Sequence, residues 1–502
     1  MSPDSRKTAA ILCAAGGLVA AAILLQKSAT GGPAAGPTAA PTRTATAQPD
    51  PTPTRAPDPI PASCEAPAGA ASRITASLSR GRATGALSAS KILRGGGGKL
   101  FASFDLGADP LAIAGPRQPL NLALVIDRSG SMEQEGKLAR AQEAALRLIE
   151  RLGGIDRIAL VQYDDTAQTL VPSIAADSEG KARLRAAVAG LRPGGATNLH
   201  GGLSLGRDEV QRQMAPGQVS RVILLSDGLA NAGESNPTVI ADAARAAADQ
   251  GVRITAVGVG IDYNEDLMEA IAESGRGRYY YVRDAAGLEP VLAGELTSAQ
   301  TTVAAQVELR LRPACAGVEI GEVFGYQSRR DGDTLVVPLA DLAGGDARRL
   351  VVALKVPDRV AGRQSALVAE LSYRDAITGD AKTATIPLAL DVTDDYLAAE
   401  KSVDAEVMAL VLKAQAADSV RQAARAYEKG DVAGAATLLR DTRKQVEQEG
   451  GRYGVSAAAL APALEGMSSF ADQAETNAPG SAGGKALLKE RKLRAREMSK
   501  GQ

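Results

Sequence analysis

Through the middle of the chain, short apolar runs alternate with segments of helical period. Leu120 to Ile126 reads as a buried strand, and Lys137 to Leu152 then places Leu138, Ala141, Ala145, Leu148 and Ile149 on one helical face. Arg157 to Tyr163 is a second strand, while Glu179 to Leu191 and a segment opening near Asn198 read as helices. Arg221 to Ser226 and Arg253 to Gly258 are further strands, separated by the Ala-rich helix Pro237 to Gln250. Continuous apolar strands alternating with helices imply a parallel, doubly wound (Rossmann-like) α/β sheet covered on both faces. In such a sheet ligands bind outside the carboxyl ends of the strands.

The flanks follow a period of two. Before the α/β segment, Lys99 to Leu106 alternates Leu100, Ala102, Phe104 and Leu106 with surface-tolerant neighbours. After it come Leu350, Val352, Leu354, Val356, then Leu367, Ala369, Leu371, Tyr373, then Ile386, Leu388, Leu390, Val392. The last two runs meet through the hairpin loop Asp375 to Asp380. The expectation is a β-sandwich assembled from both flanks with the α/β domain inserted, against a tandem order in which residues 64–118 form a loose arm. Asp395 to about Phe470 is helical, with at least one hairpin turning at Lys429-Gly-Asp431, similar to a single tetratricopeptide-like unit. The basic run Lys485 to Lys500 is expected to be a solvated tail. The division is thus 1–27, 28–63, 64–118, 119–300 (α/β), 301–394 (β), 395–475 (helical) and 476–502 (disordered basic tail).

Thr8 to Leu25 is uncharged and apolar, preceded by Arg6-Lys7 and followed by Gln26-Lys27. As a helix it would span about 27 Å, close to the ~30 Å of a bilayer core. A signal anchor is expected, with a cleaved signal peptide as the alternative. The flanking charge keeps the N-terminus inside and puts the rest of the chain beyond the membrane. Leu12 is too bulky before Cys13 for lipid modification. Ser28 to about Pro61, rich in Ala, Pro, Thr and Gly, reads as an extended linker.

Charge and composition narrow the ligand. With 57 basic and 58 acidic residues the net charge is −1, which removes the electrostatic case for nucleic acid. Aromatic residues make up 3% and Trp is absent, so sugar-stacking platforms are scarce. Protein is the expected partner. Cys64 and Cys315 bracket the α/β segment and form a disulfide or remain free thiols according to compartment. No CxxC or Cys/His spacing for zinc is present.

The chemistry lies in Asp127-Arg-Ser129-Gly-Ser131, directly after the first strand. An acid and two hydroxyls spaced two apart on a turn can offer three oxygens to one hard divalent cation. Thr197, in Gly194-Gly-Ala-Thr-Asn198, and Asp227, which ends Val222-Ile-Leu-Leu-Ser-Asp-Gly228, complete the set. Together these residues resemble the metal-ion-dependent adhesion site of von Willebrand factor type A domains, over about Pro119 to Gln300, in proteins of the bacterial exported or membrane-anchored type. The resemblance implies that Ser129, Ser131 and Thr197 offer hydroxyls to Mg²⁺ (or Mn²⁺ or Ca²⁺), that Asp127 and Asp227 bind it directly or through water, and that an acidic residue of a protein partner completes the site. It implies adhesion-type binding at the cell envelope. The alternatives are an envelope assembly protein with a stabilising metal, or a cytoplasmic subunit working beside an ATPase.

His200, the only histidine, lies beside the Thr197 loop, as a ligand contact or as an ordinary residue of the first helical turn. Catalysis is not expected. Ser129 and Ser131 have no oriented base, and the glycine run Gly95 to Lys99 lacks the spacing of a phosphate loop.

Overall fold

The computed structural model describes residues 64–96, 100–111, 117–357 and 360–500. The expected signal anchor (1–27), the linker (28–63) and residues 97–99 of the glycine run lie outside the described residues. Among the described residues no helix is long and apolar enough to cross a membrane.

Strands β1 (Arg73–Leu78), β2 (Gly81–Leu87), β3 (Lys91–Leu93) and β4 (Leu100–Ala108) precede the α/β domain. That domain holds β5 (Leu120–Asp127), β6 (Arg157–Tyr163), β7 (Ala167–Ala175), β8 (Val219–Ser226), β9 (Arg253–Val259) and β10 (Arg276–Val282). Its helices are α1 (Lys137–Arg151), α2 (Ser178–Ala189), α3 (Leu199–Gln211), α4 (Pro237–Asp249), α5 (Glu265–Ser274) and α6 (Leu288–Gln300). The sheet order is β10-β9-β8-β5-β6-β7. All pairings are parallel except β6 with β7, so the sheet is mixed at one edge. From β5 the chain winds outward through β6 and β7, then returns to the other side of β5 to build β8, β9 and β10. The order therefore reverses between β5 and β8, the place where an open α/β sheet leaves a crevice for a ligand.

β5, β8 and β9 are buried at every position because each face is covered. Leu120, Leu122, Leu124 and Ile126 point to one side, against Leu138, Leu148, Leu184 and Leu292. Ala123 and Val125 point to the other, against Leu203, Val210, Ile240 and Ile271. Helix α3 lies unusually close to the sheet: a Cβ at Gly202 would come within 2.5 Å of Tyr163, and one at Gly206 within 2.5 Å of Val125. This holds the Thr197 loop, which feeds α3, against the carboxyl ends of β5 and β6.

The remaining strands are β11 (Thr302–Pro313), β12 (Glu319–Val323), β13 (Arg329–Asp331), β14 (Thr334–Pro338), β15 (Leu342–Ala343), β16 (Ala347–Lys355), β17 (Gly362–Asp375) and β18 (Ala381–Thr393). One sheet runs β1-β2-β4-β16-β12, and the other β13-β14-β11-β17-β18-β3 with β15 on β11. Both share one core, including Phe104, Leu106, Leu309, Leu311, Val352, Leu371 and Ile386. β4 pairs antiparallel with β16 from Leu100↔Leu354 to Gly107↔Ala347, and β3 runs parallel to β18. Residues before and after the α/β domain thus build the same sandwich, and 64–108 is not a loose arm. Cys64 and Cys315 are disulfide-bonded, with Cα atoms 4.9 Å apart.

Beyond the sandwich come α7 (Tyr396–Glu400), α8 (Ala405–Glu428), α9 (Val432–Arg452), α10 (Ala457–Thr476) and α11 (Ala482–Lys500). The helical region is more than a hairpin, since α8 to α11 share one core around Leu412, Tyr427, Leu439 and Phe470. The basic C-terminal segment is not a disordered, solvated tail but helix α11. Leu487, Leu488 and Ala495 enter the bundle core, while the cationic side chains meet the acidic helix α5 and the turn that precedes it. Lys485 reaches Asp262 at 2.9 Å, Lys492 reaches Asp266 at 2.8 Å and Lys500 reaches Glu273 at 2.7 Å. Lys489 lies 3.7 Å above the Tyr263 ring.

Candidate metal centre

β5 and β8 deliver Asp127 and Asp227 to the crevice where the strand order reverses. Leaving β5, the chain folds back on its own carboxylate: the Ser129 backbone N–H donates to Asp127 Oδ1 at 2.8 Å. The Ser226 hydroxyl donates to the other oxygen, Oδ2, at 2.9 Å. An Asp side chain readily accepts from the backbone N–H two residues on, and here the turn aims two hydroxyls back toward the sheet. Ser129 Oγ and Ser131 Oγ are 3.1 Å apart, and Ser131 Oγ donates to Asp227 Oδ1 at 2.7 Å.

Thr197 arrives on a separate loop held by backbone hydrogen bonds. Gly130 N–H donates to Gly195 O at 3.1 Å, Gly194 N–H to Arg128 O at 2.8 Å and Asn198 N–H to Asp164 O at 2.7 Å. An Arg128–Asp164 ion pair joins the same turns. On its far side Thr197 N–H donates to the Asn231 side chain at 2.8 Å, and Thr197 O accepts from Asn231 N–H at 3.2 Å. Asn231 thereby fixes the Thr197 loop to the loop that follows Asp227. Gly228 makes the approach possible, because a Cβ there would stand 3.1 Å from Thr197 Oγ1 and 3.5 Å from Ser131 Oγ. All five residues singled out from the sequence are therefore in one place. Asp127, Ser129, Thr197 and Asp227 are buried and Ser131 is half-buried at the rim. His200 is half-buried in the first turn of α3.

Burial pushes the Asp127 carboxyl up to about 6, opposed by hydrogen bonds from Ser129 and Ser226 and reinforced by the negative charge of Asp227. Asp227 has a cation of its own. Lys137, the first residue of α1, places Nζ 2.9 Å from Asp227 Oδ2, with side-chain exposures of 7% and 0%. Sequence reading missed this residue, although a signal was present: Lys137 stands four and eight positions before Ala141 and Ala145, on the buried stripe of α1. Asn231 and Gly228, ordinary turn residues, carried no such signal.

The donors are two carboxylates and three hydroxyls, all oxygen, a set suited to a hard cation such as Mg²⁺, Mn²⁺ or Ca²⁺. Among the described residues no group of three or more His, Cys, Asp or Glu is placed to hold a metal, so a metal here depends on the hydroxyls. Gly228 keeps a side chain away from two of those hydroxyls, Thr197 Oγ1 and Ser131 Oγ.

Residues 121–293 match the von Willebrand factor type A domain family, and the α/β module has the fold of that family. Such domains generally mediate protein–protein interaction, are mostly non-enzymatic and commonly bind a metal at this site. The chain is 32% identical over 211 residues to the protein YfbK of Escherichia coli (strain K12), covering 42% of this chain and 36% of that one. It is 27% identical over 340 residues to the Synechocystis protein sll0103, covering 65% and 79%. The chain thus spans about a third of YfbK. Among solved structures it is similar to a von Willebrand factor type A protein from Catenulispora acidiphila (TM-score 0.66, 18% identity, 84% of this chain and 98% of that one). It also resembles the ArnB paralog VWA2 from Sulfolobus acidocaldarius (TM-score 0.54, 16% identity, 83% and 98%). At these identities the likeness concerns fold, and its coverage extends well beyond the α/β domain.

Proposed function

We propose that this protein is a non-enzymatic adhesion module that binds a protein partner through a divalent cation, Mg²⁺ or else Mn²⁺ or Ca²⁺, held at the carboxyl ends of β5 and β8. The observation that carries this reading is the convergence of Asp127, Ser129, Ser131, Thr197 and Asp227 from three separate loops onto the crevice where the strand order reverses. Asp127 and Asp227 supply charge, and Ser129, Ser131 and Thr197 supply neutral oxygens. A bound ion would offer an open coordination position to a carboxylate of the partner. Leu229, 55% exposed and two residues past Asp227, provides an apolar contact beside that position, as an interface core requires.

We further propose that the module works outside the cytoplasm, carried by the apolar segment Thr8 to Leu25. The Cys64–Cys315 disulfide supports an oxidising compartment and weighs against a cytoplasmic role beside an ATPase. Assembly of an envelope complex, with the metal only stabilising the domain, is the competing reading.

Isothermal titration with MgCl₂ and MnCl₂, followed by capture of surface proteins in Mg²⁺ and in EDTA, tests the proposal. We expect the unmutated protein to bind one ion and to retain a partner only in Mg²⁺, and Asp127→Ala to do neither. A partner kept equally in Mg²⁺, in EDTA and by Asp127→Ala would move recognition to the sandwich or the helices.

A further inference from the structure

We infer that Lys137 is a built-in counter-ion of the metal site: it neutralises Asp227 while no divalent ion is bound, weakens cation binding, and leaves the loaded site with a surplus positive charge that an anionic partner group neutralises. This rests on the metal-site reading above and assigns a role to a residue outside the set of oxygen donors.

Three observations carry it. Lys137 Nζ lies 2.9 Å from Asp227 Oδ2, while the Ser131 hydroxyl occupies Oδ1, so both oxygens of the carboxylate are engaged. The ammonium sits in a prepared slot. Gly260, in the left-handed region at φ +78°, faces it from the loop after β9, and a Cβ there would stand 3.2 Å from Nζ. The position itself is one where helix formation disfavours a cation, since the first turn of α1 carries the positive end of the helix dipole. A lysine held there and buried is explained by Asp227 and by nothing else on α1.

The electrostatic consequence is direct. Asp127 and Asp227 ionised, with Lys137 beside them, leave one net negative charge; a divalent ion converts this to one net positive charge. Without Lys137 the same ion would produce a neutral site. The lysine therefore trades metal affinity for anion affinity. A fixed unit charge this close to a divalent ion at low exposure changes its binding on the order of ten-fold or more. The trade also lets the domain keep its fold without metal, because Asp227 is never buried without a partner.

The test is Mn²⁺ titration of the full protein as the unmutated chain, Lys137→Met, Lys137→Arg and Asp127→Ala, with thermal unfolding of each in EDTA and in Mn²⁺. We expect Lys137→Met to bind Mn²⁺ at least ten-fold more tightly than the unmutated chain, and Lys137→Arg, which keeps the charge, to stay within about three-fold of it. Lys137→Met should also lose thermal stability in EDTA and regain it in Mn²⁺ by a larger shift than the unmutated chain shows. Equal or weaker Mn²⁺ binding by Lys137→Met, with clear binding by the unmutated chain, overturns the counter-ion role and leaves the metal site standing. Absence of Mn²⁺ binding in both overturns the metal reading and this inference with it.

Discussion

Asp127 is the residue at which burial and function pull against each other. Its folded-state value near 6 lies above the ordinary 3.8, so the metal-free fold favours the protonated acid. The resulting stabilisation is fully present below the unfolded value and is lost as pH rises through about 6. The whole shift corresponds to about 3 kcal/mol, of which on the order of 1 kcal/mol falls between pH 5 and 7.5. In urea unfolding in EDTA, the stability of the unmutated protein relative to Asp127→Asn should therefore drop by about 1 kcal/mol from pH 5 to pH 7.5. A gap that stays flat across that range would mean that the carboxyl titrates normally. The acid and hydroxyls of this site were legible in the sequence because each lies on a short motif attached to a recognisable strand end. The burial of Lys137 was signalled by its place on the α1 stripe, but its pairing was not, because Asp227 stands 90 positions away and only the fold brings them together.

At the scale of elements, β5, β6, β8, β9 and helices α1 to α4 follow from periodicity, whereas β7, β10, α5 and α6 do not stand out in the sequence, and neither does the C-terminal helix α11. Its sequence is dominated by Lys and Arg, and its few apolar residues gain meaning only once α8 to α10 provide a core. Two kinds of contact hold it: Leu487 and Leu488 buried in the bundle, and ion pairs to α5. The Lys485–Asp262 pair, exposed on both sides, contributes roughly 0–1 kcal/mol, whereas each buried leucine contributes about 1.5–3 kcal/mol. Leu487→Asp with Leu488→Asp should thus release α11 and expose the turn around Asn477 to Ser481 to rapid proteolysis. Lys485→Ala, which removes a half-exposed partner of Asp262, should leave the cleavage rate within about two-fold of the original. Equal protection in both variants would show that the two leucines do not hold α11 and would transfer that role to the nearly buried cations Lys489, Lys492 and Lys500.

For the whole molecule, the decisive fact is that one domain interrupts another. The sandwich closes only when β1 to β4 meet strands more than 200 residues later, and the Cys64–Cys315 bond spans a separation of 251 residues. Loss of a native disulfide costs about 2–5 kcal/mol, and here that loss belongs to the sandwich. Cys64→Ser with Cys315→Ser should lower the first thermal unfolding transition while leaving Mn²⁺ affinity unchanged; a loss of metal binding would show that the α/β domain depends on the sandwich for its fold. Several features were determined by the sequence alone: the type of β5, β6, β8, β9 and of α1 to α4, the period-two strands on either side, and the three loops bearing Asp127, Thr197 and Asp227. Hydrophobic period and turn chemistry are local properties, written within a dozen residues. Only the tertiary structure decided that both flanks share one core, that the basic end is a docked helix, that Gly228 leaves room for the hydroxyls of Thr197 and Ser131, and that Lys137 faces Asp227. Each of these is a contact between distant segments, fixed by how buried surfaces pack and how buried charges find partners, and no local pattern encodes it.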